Sequence, residues 1–68
     1  MAVRYDKLWD RLKFSQLDRA ELQSLAGISA PTMTRLIKNE MVAMDTMVRI
    51  CSVLHCDIGD VMEVIEDV

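Results

Sequence analysis

The chain has one proline and two glycines in 68 residues. Residues that force turns are scarce, while Leu, Met, Ala and Glu are plentiful, so the composition favours helices over a sheet. No apolar run approaches the roughly 18 residues needed to span a bilayer. The opening stretch "MAVRYDKLWD" lacks the apolar core of a signal peptide, so a cytoplasmic, membrane-free protein is expected. Two cysteines are too few for a disulfide scaffold. Cys51 and Cys56 stand five apart beside the only histidine, His55. A zinc site needs about four ligands, commonly as two spaced pairs, so no metal is expected. Cys51 reads as buried and Cys56 as a boundary residue. There is no Ser/His/Asp arrangement and no glycine-rich phosphate loop. Neither an enzyme, a cofactor nor a small-molecule ligand is expected.

What the chain does have is apolar residues, 51% of the total, enough to fold one small domain spanning residues 1–68. The net charge is −3, which at first argues against a nucleic-acid partner. Its distribution reverses that argument. All Lys and Arg lie between Arg4 and Arg49. The tail carries Asp57, Asp60, Glu63, Glu66 and Asp67 and no base. From Arg4 to Lys38 the bases outnumber the acids. One basic face can meet DNA even when the total is acidic.

Hydrophobic periodicity divides the chain into five short helices. The first covers about Tyr5 to Leu12, with Leu8, Trp9 and Leu12 on one face, and Trp9 reads as core. The second starts at Asp18. Asp18 and Glu21 form a capping box, and Leu17 and Leu22 are spaced as a hydrophobic staple. Leu22, Leu25 and Ala26 should face the core, and Gly27 stops the helix. Ser29, eleven residues after Asp18, caps the third helix, with Ile28 and Met33 as its staple and Pro31 in the first turn. Met33, Leu36 and Ile37 should point inward. Asn39 can end the helix in the left-handed region. The fourth helix spans about Met44 to Leu54, with Met44, Met47, Val48, Cys51 and Leu54 at helical spacing. A fifth, after Asp57, is expected from Ile58, Val61, Met62 and Ile65 at i, i+3, i+4 and i+7.

Two helices joined by a short turn containing Gly make a helix-turn-helix, whose second helix enters the DNA major groove. Small residues belong where the helices meet, which points to Ala20 and Ala26. Ile28 is the apolar turn residue. The outer face of the third helix carries Ser29, Thr32, Arg35 and Lys38, with Thr34 to one side.

The pieces "YDKLW", "LAGIS", "LIKNE", "MVRICSVL" and "CDIGDVMEV", in that order, resemble the short stand-alone bacterial regulators of the Cro and phage-repressor class. The resemblance covers almost the whole chain. It implies an all-α, five-helix lambda-repressor-like fold and a repressor-like, DNA-binding transcriptional regulator, often dimeric. By position, Ala30, Pro31, Thr32 and Arg35 would touch base edges. Arg19, Ser29, Thr34, Lys38 and Asn39 would meet the DNA backbone. Four positions depart from the pattern. Ala30 and Pro31 replace long polar residues and can offer a thymine methyl only apolar contact. Arg4 and Ala43 stand where relatives often place Ser as a helix cap. The expected homodimer interface is the apolar stripe of the fifth helix: Ile58, Val61, Met62, Val64 and Ile65. The alternative is a protein-interaction module, antitoxin or adaptor, on the same fold.

Overall fold

The computed structural model describes residues 2–66. The elements run β1 (Ala2–Arg4), α1 (Asp6–Phe14), α2 (Arg19–Ala26), α3 (Ala30–Ile37) and α4 (Met44–Leu54), then a 3-10 turn (Ile58–Asp60) and β2 (Glu63–Ile65). The protein is mostly helical, with four α-helices among the described residues rather than five.

The expected fifth helix is replaced by the 3-10 turn and a strand. β2 pairs antiparallel with β1, with Ala2 opposite Ile65, Val3 opposite Val64 and Arg4 opposite Glu63. Gly59 weakens a helix here, while β-branched Val64 and Ile65 favour a strand once a partner is present. That partner comes from the far end of the chain, where local periodicity is blind to it. The strand also takes Arg4 out of any capping role. Its guanidinium bonds Asp6 at 2.9 Å, and Tyr5 is the residue that precedes α1.

The four helices share one way of ending. Gln16, Gly27, Asn39 and His55 each have positive φ, between 55° and 65°. After each, the next N–H donates back to a carbonyl five residues earlier: Leu17 to Leu12 at 3.1 Å, Ile28 to Gln23 at 3.0 Å, Glu40 to Arg35 at 2.8 Å and Cys56 to Cys51 at 3.1 Å. These are Schellman turns, which satisfy orphan carbonyls and reverse the chain sharply. Only Gly27 enters the left-handed region free of a Cβ clash. α1 runs on to Phe14, two residues past Leu12, before its Schellman turn stops it.

One core joins all the elements. Leu8 and Leu12 of α1, Leu22 and Ala26 of α2, Met33 and Leu36 of α3, and Met47, Ile50, Cys51 and Leu54 of α4 close around Val3, Tyr5, Ile28 and Val61. α2 packs on α4, and the 3-10 turn on both α1 and α4. Both staple pairs lie in or against this core. Several inward assignments fail. Leu25, Ile37, Met44 and Val48 are exposed. In helices of eight to eleven residues the core takes a narrow stripe, and residues 100° off it face out. Ala20 is exposed as well, so Ala26 alone is the small residue packed inside. Trp9 is half-buried against the core.

Candidate nucleic-acid interface

α2 and α3 meet across Gly27, Ile28 and Ser29. Asp18 accepts from the Glu21 N–H at 2.8 Å, and the Glu21 carboxylate accepts from the Asp18 N–H at 3.2 Å. This capping box fixes where α2 begins. Gly27 turns the chain, Ile28 drops into the core, and the Ser29 hydroxyl accepts from the Thr32 N–H at 3.3 Å. α3 thereby starts with only three residues between it and the end of α2.

The far end of α3 is tied to the start of α1. Asn39 Oδ1 accepts from the Tyr5 N–H at 3.1 Å, and the Tyr5 hydroxyl donates to the Glu40 carbonyl at 2.7 Å. Tyr5 is 1% exposed. Burial raises its phenol pKa above the usual value, against the opposing effect of a backbone hydrogen bond from Val42. With Met33 and Leu36 buried beneath it, α3 is held at both ends and along its inner face.

The outer face of α3 is left to solvent. Ala30, Pro31, Thr34, Arg35 and Lys38 are exposed, and Thr32 is half-exposed. Their hydrogen bonding separates free donors from occupied ones. The Ser29 hydroxyl donates to Thr32 Oγ1 at 2.9 Å, and Thr34 Oγ1 donates to the Ala30 carbonyl at 3.1 Å. Thr32 keeps its own hydroxyl proton. Arg35 and Lys38 make no ion pair among the described residues; the pairs there are Arg4–Asp6, Arg11–Asp60 and Arg49–Asp45. Asn39 is half-buried and its oxygen is engaged by Tyr5, so its established work is structural.

Arg19 opens α2, where its charge opposes the helix dipole. Its guanidinium lies over the Trp9 ring, 5.0 Å from the centroid. The ring faces a cation as well as the core, an attraction that orients the fork. Periodicity placed Trp9 on the α1 core face but held no sign of Arg19 above it.

A two-helix corner of this kind, with an anchored second helix whose free face carries unpaired cations, defines a helix-turn-helix protein. Residues 7–67 match the Cro/C1-type HTH DNA-binding domain, and the chain belongs to that family. Among solved structures it is similar to the crystal structure of the transcriptional regulator VanUg, form II, at 36% identity and a TM-score of 0.93. That match covers 97% of this chain and 88% of the other. No curated protein matches the sequence. No helix among the described residues is long and apolar enough to cross a membrane.

The apolar stripe expected to form the dimer interface is not a helix face. Val61 is fully buried in the monomer and Ile58 and Met62 pack against its core, so Val61 is withdrawn from any interface. Val64 is exposed and Ile65 half-buried on β2.

Proposed function

We propose that the chain is a sequence-specific, repressor-like transcriptional regulator that lays α3 in the major groove. The observation that carries this reading is the free outer face of a helix fixed at both ends. Arg35 is the long forked donor on that face, and its geometry matches the O6 and N7 acceptors of guanine. Thr32 offers a hydroxyl one turn earlier. Ala30 and Pro31 offer apolar contact to a thymine methyl. Arg19 and Lys38 flank these readers and suit phosphates. Ser29 and Thr34 add weaker backbone contacts, since their hydroxyl protons are already donated within α3.

One helix of eight residues reaches few base pairs, so the reading includes a two-fold dimer on half-sites roughly 34 Å apart. The surface we assign to it is the outer side of β2, with Val64 and Ile65 at its centre and Met62 at its edge.

The test is a salt titration of the parent protein, Arg35→Ala and Arg19→Ala on a selected and a scrambled duplex. Arg35→Ala should cost about 1–3 kcal/mol per half-site on the selected duplex and relax preference at one base pair. Arg19→Ala should weaken both duplexes alike and shallow the salt slope by roughly one unit. Equal losses for both variants on both duplexes would remove Arg35 as a base reader. Failure of the parent to bind either duplex at low salt would favour the interaction module.

A further inference from the structure

The Schellman turn does more than stop a helix. Its hydrogen bond sets two residues five apart at the ends of one tight loop, and a contact between side chains at that junction commonly accompanies it. At the end of α1 the two residues are Leu12 and Leu17, one buried and the other packed against the core. At the end of α4 the same two positions hold Cys51 and Cys56, the only cysteines in the chain. The Cys56 N–H donates to the Cys51 carbonyl at 3.1 Å. That bond and standard backbone dimensions hold the two Cα atoms within about 7 Å, the outer reach of a disulfide.

Both thiols are free, Cys51 buried and Cys56 half-buried. Both line one open surface depression, together with Ser52, His55 and Ile58. Solvent reaches Cys56 there, while Cys51 is 9% exposed.

We propose that Cys51 and Cys56 are a redox pair, closed reversibly into an intramolecular disulfide by a low-molecular-weight disulfide such as oxidised glutathione. Cys56 is the entry point. Its thiolate attacks one sulfur of the small disulfide, forming a mixed disulfide and releasing one thiolate. Cys51 then gives up its proton and attacks the Cys56 sulfur, which closes the bond and releases the second small thiol. The protein loses two hydrogens and two electrons, and the small disulfide gains them. Burial, with Cys56, Asp57 and Asp60 nearby, pushes the Cys51 thiol up to about 11. Cys51 is therefore a poor first attacker at neutral pH. Its place across the same turn from Cys56 makes the second step intramolecular, which offsets its small thiolate fraction. The bond spans the His55 corner, whose left-handed residue is not glycine, at the junction leading to the 3-10 turn and β2.

The experiment exposes the folded full chain to glutathione redox buffers and follows intact mass and peptide maps. The parent should lose two hydrogen masses, yield a Cys51–Cys56 linked peptide, gain no intermolecular disulfide and revert with dithiothreitol. Cys51→Ala should hold a stable glutathione adduct on Cys56. Cys56→Ser should leave Cys51 unmodified over the same time. Three results would overturn the proposal. One is a parent that accumulates the Cys56 adduct as Cys51→Ala does. Another is Cys51 in Cys56→Ser reacting as fast as Cys56 in Cys51→Ala. The third is a closing rate that climbs steeply with sub-denaturing urea, which would place the reaction in the unfolded chain.

Discussion

Removing one oxygen atom should loosen α3 without touching its outer face. The Tyr5 hydroxyl donates to the Glu40 carbonyl at 2.7 Å, so it closes the segment after α3 onto α1. Tyr5→Phe keeps the ring and its packing and deletes this bond. A typical internal hydrogen bond contributes about 0.5–1.5 kcal/mol, and a polar group left unpaired beside a buried ring costs about 1–3 kcal/mol. Glu40 is itself exposed, so water can take over part of its carbonyl's bonding. We therefore expect a loss of about 1–2 kcal/mol, a midpoint roughly 5–15 °C lower for a domain of this size. Thermal melts at equal protein concentration measure it. The same variant should bind DNA more weakly, although a residue 1% exposed cannot reach the duplex. A change in midpoint below about 2 °C, too small for even one such bond, would refute the claim that this hydroxyl anchors α3.

Ala43 precedes α4 with extended backbone angles and no side-chain cap, so Ala43→Ser should raise stability by about 0.5–2 kcal/mol in thermal melts. His55→Gly relieves a left-handed non-glycine residue and should stabilise by about 0.5–1 kcal/mol by urea unfolding, the strain relief being partly offset by a freer unfolded chain. Tyr5 and Cys51 both have folded-state pKa values raised above their ordinary ones. The stability they confer is complete below their unfolded values and is lost as pH rises, for Cys51 between about 9 and about 11; urea titrations at increasing pH should show the decline, and Cys51→Ala should reduce it. Trp9 is the sole tryptophan and lies under Arg19, so under the proposed phosphate contact of Arg19 its emission should change on DNA binding, and should respond less in Arg19→Ala.

Local chemistry was legible wherever a short segment carries its own instructions. Asp18 with Glu21, Gly27, and Ser29 with Pro31 each set a helix boundary through bonds to residues at most five away, and the corner formed as read. The outer face of α3 was equally legible, because Thr32, Arg35 and Lys38 share one side by helical spacing alone. Side-chain bonding across elements was not. Asn39 has the amide of a phosphate-binding residue, yet its oxygen serves Tyr5, 34 positions earlier. The pairing of Trp9 with Arg19 likewise joins α1 to α2 with no sequence signal.

The misread fifth helix has the largest consequence for assembly. Ile58, Val61, Met62 and Ile65 satisfy a helical stripe, but the 3-10 turn already brings Val61 and its neighbours onto the core. With the core sealed by Val61, a dimer no longer follows from an unpartnered helix, and Val64 and Ile65 on β2, with Met62 at the edge, carry the proposed contact. Val64 lies opposite Val3 and is 56% exposed, so a charge there disturbs little of the monomer. Val64→Asp should therefore abolish the dimer and leave the monomer's helical content and its midpoint, measured in dilute solution, nearly unchanged. Sedimentation decides the matter. A parent protein that stays monomeric at high micromolar concentration would end the dimer proposal, and a Val64→Asp protein that still dimerises would move the interface off β2.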